Sequence, residues 1–181
     1  MEFKIGSIIL RKPKMDDAEG FIEICSEKET MKYYGIGGAF IDTKEKAIDQ
    51  INWCNSLFEN NSGRWIITEE NHDKYIGDIG FHNFQEEHNK VEIGYRLKQK
   101  YWGKGIITSC INELLKYGFS DLKYNRIEAL VDSRNEGSKK VLLKNDFKLE
   151  GTLRDYEYEN NDYINIDIFS ILQSEYNNRK V

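Results

Sequence analysis

The sequence predicts a mixed α+β (α/β mixed) fold: a central, mostly antiparallel sheet with one parallel strand pair, flanked by helices. Three observations carry this reading. From Gly63 the apolar period changes to alternation over three runs, 64–69, 75–84 and 90–97, joined by the polar turns Asn71-His72-Asp73 and Gln85–Asn89. That order is an antiparallel meander. A long amphipathic stretch at 105–119 then separates the run 90–97 from another at 126–131. Such a strand–helix–strand crossover is right-handed and joins parallel strands. Finally, 181 residues with 39% hydrophobic and 31% charged composition suit one domain, 1–181, with a sizeable core.

Each element has its own signal. Residues 3–11 are predicted as a first strand. Asp16 or Asp17 is predicted to cap a helix whose apolar face is Phe21, Ile22, Ile24 and Cys25. Asp42, with Glu45 three residues on, is close to a capping box. It opens a second helix in which Ala47, Ile48, Ile51, Cys54, Leu57 and Phe58 recur at helical spacing. After the meander, the helix at 105–119 turns Ile107, Ile111, Leu114 and Leu115 inward. A strand at 126–131, a helix at 135–146 and strands at 147–154 and 164–172 complete the chain.

Composition excludes several classes. One Pro argues against disorder and Pro-rich linkers, and no apolar run reaches the length of a membrane span, so no membrane is expected. The opening Met-Glu-Phe-Lys leads into no signal-like stretch. Cys25, Cys54 and Cys110 are odd in number and far apart, which supports neither disulfides nor zinc and fits a reducing cytoplasm. His72, His82 and His88 show no metal spacing, so no metal is expected. A net charge of −5 disfavours nucleic acid as a partner.

The chemistry lies in Glu92-Ile93-Gly94-Tyr95-Arg96-Leu97-Lys98-Gln99-Lys100-Tyr101-Trp102-Gly103-Lys104-Gly105-Ile106-Ile107. It runs from strand through loop into helix. A helix start carries unpaired N–H groups and partial positive charge, so it is an anion site in waiting. Gly103 and Gly105 allow close backbone approach. Arg96, Lys98, Lys100 and Lys104 fall within nine residues, and no acid occurs from Ile93 to Asn112. In an acidic chain this cationic knot points to a bound phosphate. The spelling fits neither a P-loop, which needs a longer Gly-to-Gly-Lys spacing, nor a dinucleotide fingerprint, where Thr108 stands in place of the third Gly.

Lys100-Tyr101-Trp102-Gly103-Lys104-Gly105 is similar to the Gln/Arg-x-x-Gly-x-Gly/Ala acetyl-CoA signature of the GNAT N-acetyltransferase superfamily. Together with Glu92-Ile93-Gly94-Tyr95, Arg126-Ile127-Glu128-Ala129 and Asn135-x-x-Ser138, it resembles the branch holding ribosomal-protein-alanine/serine and spermidine N-acetyltransferases. The resemblance implies a three-layer fold whose sheet splays between the strands at 91–97 and 126–131, with pantetheine in the gap. It implies acetyl-CoA as co-substrate and an amine acceptor, either a small molecule or a protein N-terminus, with a monomer or homodimer as the working form. Gly94, Tyr95, Arg96 and Leu97 would line the pantetheine arm, and the N–H groups of Trp102 to Ile107, Ile106 among them, would meet the pyrophosphate. Departures are Lys100 for the planar Gln or Arg, the bulky Ile106 and Ile107, and Asp146-Phe147 for the usual Gly-Phe.

The resemblance also nominates catalytic groups. Glu92 is the candidate general base, through water; the alternatives are an exposed or paired strand Glu and a contact to the substrate amine. Asn135 is either a helix cap or a pantetheine partner. Leu142 stands where many members carry an acidic Tyr, which leaves Ser138 or water to protonate the thiolate. Lys139, Lys140 and Lys144 are set for the ribose phosphate or for solvent. Tyr33, Tyr34 and the nearby Gly35, Gly37 and Gly38, then His82, Asn83 and Tyr156, are candidates for the acceptor side. Trp65 reads as core. The expected activity is direct acetyl transfer to a primary amine, such as a protein N-terminus or a polyamine. The alternative is a catalytically silent CoA-binding sensor or interaction module.

Overall fold

The structure, a computed structural model, describes residues 2–34, 40–159 and 161–179; the expected loop glycines Gly35, Gly37 and Gly38 lie outside these. The described elements form one eight-stranded sheet with helices on both faces. Strands β1 (Phe3–Ile5), β2 (Ile8–Arg11), β3 (Gly63–Glu69), β4 (His72–Gln85), β5 (Lys90–Leu97), β6 (Arg126–Asp132), β7 (Lys148–Glu159) and β8 (Asp162–Leu172) lie in the order β1-β2-β3-β4-β5-β6-β8-β7. Helices are α1 (Ala18–Ser26), α2 (Lys28–Met31), α3 (Lys44–Ser56), α4 (Ile106–Ser120), α5 (Glu136–Lys144) and α6 (Gln173–Asn177).

Every neighbouring pair is antiparallel except β5 and β6. Their parallel ladder is short: Lys90↔Arg126, Val91↔Ile127 and Glu92↔Glu128. Beyond Glu92 the two strands part, and the sheet opens into a V. The meander, the crossover and the splay are therefore all present.

The two sheet faces carry separate cores. Ile107, Cys110, Ile111, Leu114, Leu115 and Phe119 of α4 pack with Trp65, Ile67, Phe81, Val91, Ile93 and Ile127 on one face. Phe21, Ile24, Ile51 and Cys54 of α1 and α3 pack with Ile66 and Tyr75 on the other. Because side chains alternate along a strand, Val91, Ile93, Tyr95 and Leu97 face α4. Glu92, Gly94 and Arg96 face α1 and α3.

Several local expectations are corrected. Residues 3–11 form a hairpin, not one strand, because Gly6 adopts a left-handed φ of 59° and reverses the chain. Asp17 does not cap α1 through its side chain; its carboxylate is held by the buried Arg11 guanidinium and the Lys14 N–H. Thr43, not Asp42, caps α3 by accepting from the Lys46 N–H. Asp42 instead pairs with Lys46. The helices α2 and α6 were not expected, being too short for periodicity to reveal. Asp146 ends the α5 turn at φ 61°, the left-handed conformation that Gly adopts most easily.

Candidate active site

The V between β5 and β6 opens into a cleft of about 870 Å³. Its walls come from β4, β5, β6, the loop before α4, the start of α5, and residues of α2 and α3. Of the residues singled out from the sequence, Glu92, Gly94, Tyr95, Arg96, Leu97, Trp102, Gly103, Gly105, Ile106, Ile107, Asn135, Ser138 and Lys144 line it, as do Tyr33, Tyr34, His82 and Asn83. Lys100, Lys104 and Tyr156 do not. Lys100 and Lys104 are exposed, with each ammonium about 5 Å from the Tyr101 ring, and Tyr156 is exposed on β7.

The loop from Lys98 to Gly105 presents backbone donors. Gly103 and Gly105 have φ values of 72° and 76°, and space is open around both Cα atoms. Gly105 is the N-cap of α4, so the N–H groups of the first turn lack intrahelical partners. The Trp102 N–H, expected among the anion donors, instead bonds the Gln99 carbonyl at 3.0 Å. Among the described residues the series of donors without backbone partners thus starts at Gly103. The Trp102 indole N–H donates to the Leu97 carbonyl at 2.6 Å, which pins the loop to the end of β5.

The cationic knot divides in two. Arg96 points to the α1 face, where its guanidinium bonds the buried Asp78 at 2.7 Å and lies over the rings of Phe21 and Tyr34. Lys98 is buried and paired with Glu23. Neither side chain is available to a phosphate; Arg96 offers a cleft ligand only its backbone. Lys100 and Lys104 remain exposed to solvent. Lys139 is also engaged, bonding Glu136 and the Ser133 carbonyl.

Candidate acid–base groups sit on opposite sides of β5. Glu92 is half-buried, with His82 Nε2 3.5 Å from its carboxylate. Burial pushes the Glu92 pKa up, partly countered by a hydrogen bond from the Asn83 side chain. Asn83 sits at a bulge in β4 with φ 53°, a device that re-aims a side chain. Burial, helped by the Arg64 charge, lowers the His82 pKa to about 4, so the imidazole is neutral at pH 7. On the α4 side, the Tyr95 hydroxyl lies 2.7 Å from Ser138 Oγ. Burial holds the Tyr95 proton well above its usual range. Asn135 caps α5, its Oδ1 accepting the Ser138 N–H at 3.0 Å. Its amide nitrogen makes no hydrogen bond among the described residues.

Residues 7–148 match the acetyltransferase (GNAT) domain family. The chain belongs to that family. The GNAT chain is 38% identical over 170 residues to uncharacterized N-acetyltransferase p20 of Bacillus licheniformis, covering 93% of this chain and 94% of the relative. Among solved structures it is similar to a GNAT-family acetyltransferase of Bacillus anthracis, with TM-score 0.83, 27% identity and coverage of 97% and 100%. It shares the fold of a Vibrio cholerae spermidine N-acetyltransferase solved with CoA and spermine, with TM-score 0.82, 21% identity and coverage of 95% and 99%. This GNAT protein is an acyltransferase. Among its described residues no cluster of His, Cys, Asp and Glu could hold a metal ion, and no helix is long and apolar enough to cross a membrane.

Sequence reasoning missed two cleft features of this GNAT protein. Arg64 and Asp78 are 4% and 0% exposed and pair beneath the cleft. The register places them together, since Arg64 opposes Gly80 and Asp78 opposes Arg96. A polar residue inside an apolar strand run was the available signal. The second is the Tyr95 hydroxyl. No Tyr stands on α5, but one reaches Ser138 from β5.

Proposed function

We propose that this chain is an acetyl-CoA-dependent N-acetyltransferase that transfers acetyl directly to a primary amine. One observation carries the reading: a single cleft joins free loop N–H groups, the β5–β6 splay, Glu92 on one side and Tyr95–Ser138 on the other. The N–H groups from Gly103 onward hold the donor's pyrophosphate at the positive end of α4. Pantetheine runs into the splay, bonding the unpaired edge of β5 from Ile93 to Leu97, with the Asn135 amide in reach.

Glu92, through water, takes the proton of the acceptor ammonium. The freed amine attacks the thioester carbonyl, the C–S bond breaks as the thiolate takes a proton from Ser138, replenished from Tyr95, and the surplus proton shed by the new amide nitrogen returns through water to the Tyr95–Ser138 pair. The acceptor enters on the α1 and α3 side, where Tyr33, Tyr34, His82 and Asn83 lie. Similarity to a fold-mate solved with CoA and spermine supports CoA chemistry and an amine acceptor.

Thermal melts with acetyl-CoA, CoA, NAD and ATP test this. At a hundred times the dissociation constant, acetyl-CoA and CoA should each raise Tm by about 5–10 °C. NAD and ATP should not. Stabilisation by NAD or ATP alone sinks the donor site. Stabilisation by CoA without acetylation of any amine would favour a silent CoA sensor.

A further inference from the structure

Beneath the acceptor side of the cleft lies a buried cluster with unequal charges. Arg64 and Arg96 share one carboxylate, Asp78. Tyr75 donates its hydroxyl to the same carboxylate. Burial alone would raise the Asp78 pKa, but the two guanidiniums overcome it and hold the group ionised. Cys54, the thiol facing Arg64, is pushed up to about 11 by burial and stays neutral. The cluster therefore carries one positive charge more than it neutralises.

Arg96 donates Nε to Asp78 and Nη1 to the Cys25 sulfur and stacks on two rings. Arg64 is held differently. Its Nε bonds Asp78 and its Nη2 bonds the Tyr34 hydroxyl at 2.6 Å. Its Nη1 makes no hydrogen bond among the described residues. That nitrogen lies 3.4 Å from where a Cβ on Gly94 would stand, with the His82 ring beside it. The absence of a side chain at Gly94 lets this guanidinium edge and the His82 ring pack close against β5, where Arg64 lines the cleft. Tyr34 accepts from Arg64, so its own proton is free to donate onward.

We infer that the acceptor amine also carries a carboxylate, received by Arg64 Nη1 and the Tyr34 hydroxyl, as in an α-amino acid. This rests on reading the cleft as an acetyl-transfer site. Glu92 lies two residues from Gly94 on the same face of β5, roughly 7 Å along the strand. A negative group for the ammonium and a positive one for the carboxylate thus flank a space the size of a small zwitterion. A carboxylate gives the surplus charge its missing partner through charge-assisted hydrogen bonds. A polyamine gives the surplus charge no partner and could meet only the carboxylates on the cleft walls, such as Glu92 and Glu157.

The test compares kcat/KM with acetyl-CoA for the common α-amino acids, each beside its α-amide, with spermidine as the carboxylate-free polyamine. The amides lose only the negative charge, and their less basic amines are more often deprotonated, so any preference for the acids is a conservative measure. The best amino acid should exceed its amide by about tenfold or more, the size of one lost charge-assisted hydrogen bond. In Arg64→Gln that ratio should fall towards one. Tyr34→Phe, which leaves the Asp78 pairing intact, should lower it by a smaller factor and serves if the Arg64 variant fails to fold. Amides used as well as acids, spermidine preferred, or no amino acid acetylated by protein that binds acetyl-CoA would each overturn the inference while leaving the donor site standing. Absence of an acetyl-CoA shift in the melt would remove both.

Discussion

Tyr95 on β5 and Ser138 in the first turn of α5 meet hydroxyl to hydroxyl at 2.7 Å across the open end of the sheet. The contact spans the gap that strand pairing leaves beyond Glu92. It joins two groups sequence spacing could not relate, one fixed by strand alternation and the other by the Asn135 cap. Buried as it is, Tyr95 keeps its proton through the working pH range. The pair is thus a proton source rather than a base. Tyr95→Phe and Ser138→Ala should each lower kcat by about 10–100-fold with little change in the KM for acetyl-CoA. Because they act as one unit, the double variant should be no worse than the poorer single one. Additive losses would show that the two hydroxyls act separately.

Glu92 must be ionised to accept a proton. Burial raises its pKa above the ordinary carboxylate value of 4.5, so the acid limb of kcat/KM should sit above that value, with activity rising as pH rises through it. Glu92→Gln should cost about a hundredfold or more and flatten that limb. A variant with the wild-type pH–rate profile would remove Glu92 as the base.

Gly103 has a left-handed φ of 72° and nothing within 4 Å of the place a Cβ would take. A side chain there meets backbone strain and then the anion, not the protein. Gly103→Ala should cost roughly 1–2 kcal/mol of stability. Gly103→Val, β-branched, should cost more and weaken CoA binding by at least about tenfold, as calorimetry would show. Unchanged affinity would move the pyrophosphate elsewhere.

The fold was legible where pattern and spacing were long. The meander, the α4 crossover and the β8 strand all follow from periods that persist for several residues. What escaped depended on one residue or on tertiary pairing. Gly6 splits the first run, and Arg11 draws Asp17 away from its cap. The cationic knot looks like one unit in the sequence because charge is visible there and strand facing is not. Alternation along β5 sends Arg96 to Asp78, while the loop leaves Lys100 and Lys104 in solvent. Gly103, Gly105 and Ser138 were legible because their chemistry is local: a loop, a helix start and a cap. Arg64 was hidden because its partner, Asp78, is a cross-strand neighbour found only once register is known.

Asp78 supports both β4 and the cleft floor, and replacing it leaves two guanidiniums buried together. Asp78→Asn should destabilise the protein by about 3–5 kcal/mol, the cost of breaking a buried ion pair from one side. Urea unfolding measures this. A loss below about 1 kcal/mol would mean that water reaches the cluster and screens it.

His82 sets an acid limit on stability. Its folded pKa is depressed to about 4, first by burial and then by the Arg64 charge, against 6.5 for an ordinary imidazole. The unfolded chain therefore binds a proton that the folded chain refuses. Stability is fully present above about pH 6.5 and is lost as pH falls from there towards 4. The loss should be of order 2–3 kcal/mol, or roughly 5–10 °C in Tm. Carboxylates remote from His82 act alike in wild type and in His82→Gln; Glu92, 3.5 Å away, is the exception, and repeating the comparison with Glu92→Gln in both proteins isolates the imidazole. His82→Gln should narrow its stability gap to wild type as pH falls across this window. Parallel curves for the two proteins would show that His82 is protonated in the folded state, with its charge answered by Glu92 at 3.5 Å.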